Sequence, residues 1–266
     1  MCASPGACVV NFSGTVLGIN SFSGANTHLY RISGFTFQNN PSSSFVIWFD
    51  GNGAMTRIRV DHNTFSNLAE GTVAVFFGDT QGIATYYGVI DHNTLTTLSS
   101  SMLTHSIGAQ NNSPPASPLG TANNMFVEDN TMTIQTITNT GEGCMDSWGG
   151  AAVVWRHNST TNCLVTSHGV VHSGGPQNIE LYNNTLKVNA GSAGTGLEDG
   201  YRLFHHQGSG EFIAFNNSFA SYSGKSGVPL EMTHYRSATP AAAGYDSSLG
   251  RCDGTQERKP HFRQRI

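Results

Sequence analysis

Ionisable side chains are scarce in this chain, so the few that cluster are the first place to look for chemistry. The densest group is Glu198-Asp199-Gly200-Tyr201-Arg202, followed directly by His205 and His206. Glu142 and Asp146 lie upstream of it, with His168 and His172 between. A carboxylate beside an imidazole can work as general base and general acid. Paired carboxylates can hold a Ca²⁺ ion against an acidic sugar, and a guanidinium can neutralise a uronate carboxylate. The candidate catalytic set is therefore Asp146, His168, Arg202 and His205. Glu198 and Asp199 are the candidate ligands if Ca²⁺ takes part, and no other cofactor is expected. A plainer role stands beside this one: Glu198 and Asp199 capping a turn, with Arg202 paired to one of them on the surface.

Those residues need a scaffold, and the scaffold announces itself by repetition. Arg59-Val60-Asp61-His62-Asn63-Thr64-Phe65 recurs as Val89-Ile90-Asp91-His92-Asn93-Thr94-Leu95. Further copies surround Asn130, Asn158, Asn184 and Asn217, and a degenerate one runs from Arg31 to Phe37. The copies lie roughly 26 to 37 residues apart, a period typical of solenoids and propellers. Each alternates apolar and polar residues before a turn and so reads as a short strand. Such strands bury one side only by stacking, about 4.8 Å apart, which aligns like residues into columns. The six asparagines are expected to form an inward-turned ladder, each amide donating to a carbonyl of the neighbouring rung. The adjacent pairs Asp61-His62 and Asp91-His92 are expected to point to opposite faces of a strand, and so not to act together.

A second strand precedes a Gly-rich turn in each repeat. Aligned on that turn, Trp48, Phe76, His105, Trp148, His168, His205 and His234 form one column, about 29 Å long over seven rungs. A slip of one residue in any rung would move its side chain to the other face. Aromatic faces stack on sugar rings, while neutral His and Ser groups hydrogen-bond to hydroxyls. The column is thus a candidate groove for a polysaccharide, with Trp48, His105, Trp148, His206, His234 and Tyr201 as substrate-binding residues. Its plain alternative is a stacked strand whose aromatics fill the interior. The segment Asn111 to Asn124, with three prolines, is a surface excursion long enough to wall such a groove.

The His-Asn-Thr-Phe and Asn-Asn-Thr-Leu rungs resemble those of right-handed parallel β-helix repeat proteins, the superfamily that includes pectate lyases and phage tailspikes. With the repeat, this resemblance implies an all-β, single right-handed parallel β-helix of about seven to nine coils. Residues 1–27 would be a cap or incomplete first coil, 28–236 the solenoid, and 237–266 an irregular tail whose composition breaks abruptly. The superfamily includes lyases, hydrolases, esterases, adhesins and structural coils, so it specifies fold better than function. Pectate-lyase-like members use acidic calcium ligands with a Lys or Arg base, whereas Lys187, Lys225 and Lys259 all lie off the column. Pectin methylesterase-like members use two Asp and an Arg, which Asp146, Asp199 and Arg202 match only in type. No Gly-x-Ser-x-Gly elbow is present.

Composition narrows the partners. With 13 Lys plus Arg and a net charge of −4, the chain lacks the dense basic surface that nucleic acid requires. No stretch approaches the ~20 apolar residues of a membrane span. Five cysteines show no zinc spacing. Cys144 and Cys163 fall at equivalent places in adjacent rungs and suit either a disulfide or two buried thiols, and Cys2 and Cys8 could close a small loop. No signal peptide is read at Met1, while the polysaccharide reading implies a secreted or cell-surface protein. The two functional expectations are a polysaccharide lyase or hydrolase, and a non-catalytic glycan-binding or structural solenoid.

Overall fold

Short alternating segments punctuated by Gly and Asn cannot sustain helices, and the chain folds into strands of three to eight residues. The computed structural model describes residues 8–21, 28–42, 44–51, 54–78, 85–97, 100–106, 119–135, 144–148, 151–167, 176, 178–187, 203–207, 211–220 and 230–233. Among them are 23 strands and no helix.

The strands enter three sheets in strict rotation, every third strand joining the same sheet. The first sheet collects eight strands from Cys8–Asn11, through Phe35–Gln38, Thr64–Ser66, Thr94–Thr97, Thr131–Ile134, Ser159–Thr161 and Thr185–Lys187, to Ser218–Ala220. The second runs from Leu17–Ser21 to Leu230–Thr233 and also has eight. The third runs from Tyr30–Ser33 to Glu211–Phe215 and has seven. The described pairings are all parallel, for example Thr94 beside Thr131 and Val60 beside Ile90. The two strands of the N-terminal segment pair in the same way, as the outermost members of their sheets. The expected tail, 237–266, lies outside the described residues.

One column from each sheet points inward. Phe37, Phe65, Leu95 and Met132 come from the first sheet, Ile47, Val75, Met145 and Phe204 from the second, and Val60, Ile90, Val127 and Trp155 from the third. Each of these is buried, and the stacking continues through Phe37 and Phe65, whose rings lie 5.3 Å apart. Burying a side chain of this size stabilises by about 1.5–3 kcal/mol.

The bend between the third and first sheets carries the asparagine ladder. Oδ1 of Asn93 accepts from the backbone N–H and the side-chain amide of Asn63, and Nδ2 of Asn93 donates to the Val60 carbonyl at 2.8 Å. The same set repeats at Asn130, Asn158, Asn184 and Asn217. One residue before each ladder Asn the backbone is left-handed: His62 has φ 55°, His92 54°, Asp129 54°, His157 55°, Asn183 57° and Asn216 52°. Asn, Asp and His are the non-glycine residues that tolerate this region best.

That bend corrects one expectation. Asp61 and His62 do not face apart, because the left-handed residue ends the pleat between them. His62 Nδ1 lies 2.8 Å from Asp61 Oδ2, and His92 meets Asp91 at the same distance. The open question of the cysteines resolves as a disulfide between Cys144 and Cys163, with Cα atoms 5.3 Å apart. Cys8 is also disulfide-bonded.

Candidate functional site

The second sheet holds the candidate residues, and its register sorts them into columns. Trp48 pairs with Phe76, Phe76 with Thr104, and Thr104 with Asp146. Met145 pairs with Val165, which sets Asp146 beside Thr166, and Thr166 pairs with His205, itself beside Glu231. The line therefore reads Trp48, Phe76, Thr104, Asp146, Thr166, His205, Glu231. Its neighbours in sequence, such as Ile47, Val75, Met145 and Phe204, point into the core, so the line lies on the opposite, outer side. From Trp48 to His205 it spans about 24 Å.

Three of the proposed residues thus share one column: Trp48, Asp146 and His205. Others fall elsewhere. His105 pairs with Phe77 and Ser147, one residue off the line, which in that rung passes through Thr104. Trp148 pairs with Ser106, two residues on from Asp146, and keeps the same face in the flanking column. His206 is in the inward column: it is 4% exposed, pairs with Ser167 and stacks on Phe212 at 5.4 Å. Its Nδ1 lies 2.7 Å from Ser167 Oγ, and burial pulls its pKa down to about 4, so at neutral pH it is an uncharged core residue. His168, Glu198, Asp199, Tyr201, Arg202 and His234 lie outside the described residues, as does most of the Pro-rich excursion.

One end of the line is aromatic. Phe45 stacks on Phe76 with ring centroids 3.9 Å apart, and Trp48 meets both rings edge-on at 5.7 and 6.2 Å. All three are half-buried. Phe45 escaped the sequence pattern because strict alternation groups it with inward Ile47. At the other end Asp146, Thr166 and His205 are 2%, 3% and 6% exposed, so the outer side of the sheet is covered there. Thr166 Oγ1 donates to the His205 carbonyl at 3.3 Å. Asp146 and His205 are two rungs apart, about 10 Å, which is too far for direct proton exchange. Aromatic faces at one end and a carboxylate with an imidazole at the other can hold a sugar chain and move protons along it.

A second cluster of titratable groups occupies the ladder bend. Arg31 grips Asp61 with two hydrogen bonds at 2.8 and 2.7 Å, and Arg59 grips Asp91 at 3.0 and 2.7 Å. His62 and His92, both half-exposed, stack with centroids 5.0 Å apart. Burial pushes the Asp61 carboxyl up, but hydrogen bonds from Arg31, His62 and Ser33 more than offset this and hold it well below the usual carboxylate range. Among the described residues no group of three or more His, Cys, Asp or Glu is placed to hold a metal ion.

No protein-family model, curated protein or solved structure matches the chain.

Proposed function

We propose that the chain is a right-handed parallel β-helix of the pectate-lyase-like kind, and that it cleaves a polysaccharide along the outer column of its second sheet. The strict three-sheet rotation and the continuous asparagine ladder support the solenoid reading. The observation that carries the function is the single register line from Trp48 and Phe76 to Asp146 and His205. In this reading the aromatic end binds sugar rings and Asp146 and His205 serve as acid and base, with His168 and Arg202 completing the set. The Cys144–Cys163 disulfide favours a secreted or cell-surface protein, because such bonds persist in oxidising compartments.

The test is a panel of acidic and neutral polysaccharides, read by ultraviolet absorbance of unsaturated uronates and by reducing ends. It is run with and without Ca²⁺, since Glu198 and Asp199 are the ligands this reading offers. Turnover that disappears in Asp146→Asn or His205→Ala supports an enzyme.

The burial of Asp146 and His205 favours a second reading, a non-catalytic glycan-binding or structural β-helix, because burial holds the carboxylate and imidazole back from a bound polymer. Glycan binding without turnover, reduced by Trp48→Ala, supports that alternative.

A further inference from the structure

The outer face of the first sheet presents a regular array that the polysaccharide reading does not use. Its strands pair seven times in succession without a register shift. One outward column is Thr36, Thr64, Thr94, Thr131, Ser159, Thr185 and Ser218, a hydroxyl on each rung after the first, where Val9 stands. Two residues on, a parallel column carries Ser66, Thr96, Thr133 and Thr161. The residues between them, including Phe65, Leu95, Met132 and Thr160, are fully buried, so both hydroxyl columns face out.

The array has three physical properties. It is two-dimensional: hydroxyls repeat about 4.8 Å along the stack and about 6.6 Å along each strand. It is pre-organised, because threonine's β-branch restricts its side-chain rotation and each strand is held on both sides. It is also unengaged: among the described residues none of these hydroxyls has a hydrogen-bond partner in the protein. Lys187 is the one charged residue in the two columns, and the central rungs have no outward aromatic ring.

These properties select a ligand. A flexible polymer could follow one column but not a grid. A crystalline polysaccharide would be held by exposed aromatics, which this face lacks. A nearly uncharged face of this kind has little to offer ions or nucleic acid. What remains is a solid whose surface repeats in two dimensions and consists of hydrogen-bond donors and acceptors. Hydroxyls at fixed spacing can each hold a water in place, so a regular array of them imposes its spacing on the water bound to it. We propose that the outer face of the first sheet binds ice.

The experiment uses the full chain in supercooled buffer, measuring thermal hysteresis and the rate of ice recrystallisation. Wild type should facet ice crystals and slow recrystallisation at least ten-fold relative to serum albumin at equal concentration. Thr131→Lys, which places a long charged side chain in the centre of the array, should remove at least nine-tenths of both effects. Thr94→Lys on the neighbouring rung repeats the test should the first variant not fold. Glu70→Lys, the same charge on an exposed turn, should leave both effects intact. Folded wild type that behaves like albumin overturns the proposal, as does full activity in both threonine variants. Retention on crystalline cellulose or chitin without any effect on ice also overturns it.

Discussion

Arg31 and Asp61 meet diagonally across adjacent strands of the third sheet as a two-pronged pair, Nε and Nη2 donating to the two carboxylate oxygens. Asp61 also accepts from Ser33 at 3.0 Å and meets His62, so a fully buried carboxylate has its acceptor positions filled. Hydrogen bonds to a charged group are worth about 1.5–3 kcal/mol each in stability. Asp61→Ala should therefore lower unfolding stability by about 3 kcal/mol in urea titration. The folded carboxyl titrates below its unfolded value of about 3.9. Its contribution is complete above that pH and is lost as pH falls below it, and Asp61→Asn should flatten that acid limb.

His206 adds a second loss of stability in acid, beginning at higher pH. Burial lowers its pKa from 6.5 to about 4, so the unfolded chain takes up its proton first. Stability should be complete above pH 6.5, fall as pH drops toward about 4, and level off below, for a loss of about 3 kcal/mol. His206→Gln should remove this step in thermal melts across the range. An unchanged pH profile in that variant would assign the step to another group.

Asn130 sits in the middle of the ladder, donating to the Ile90 and Glu128 carbonyls and to Asn158 while accepting from Asn93. Asn130→Ala leaves several buried backbone groups without partners. It should cost at least about 3 kcal/mol by chemical denaturation, well above the effect of Asn67→Ala, whose side chain bonds Asn39 on the exposed turn after Thr64–Ser66.

Gly88 faces a register shift in the opposing strand between Met55 and Ile58. A Cβ there would lie 2.3 Å from the Ile58 carbonyl oxygen, a backbone atom that cannot step aside. Gly88→Ala should destabilise by about 1–3 kcal/mol, read as a lower melting temperature.

Reduction of Cys144–Cys163 opens a link between residues 19 apart and should cost about 3 kcal/mol. Urea titrations with and without reductant measure it.

The ladder asparagines were legible in the sequence because each sits at the same place in a repeated heptad, where the local motif fixes its role. Asp61 and His62 were misread because alternation holds only within a pleat, and the left-handed φ of His62 ends it. Trp48, Asp146 and His205 were found on one face, but His105 and Trp148 were displaced by one and two residues. Alignment on a Gly-rich turn assumes an equal distance from strand to turn in every rung, and that distance varies. The threonine columns are not legible in the sequence, because single hydroxyls carry no chemical signal until the register sets them side by side.

In the proposed solenoid, the strict rotation through three sheets makes the molecule a ruler. Each pass of three strands lengthens it by about 4.8 Å and meets its neighbours through the same asparagine joint. Duplicating one internal unit in the gene, from just after one ladder Asn through the next, would extend the molecule by that increment and leave the other joints unaltered. Deleting the unit that carries Cys163 would instead strand Cys144, so the disulfide marks a place where the scale cannot be shortened freely.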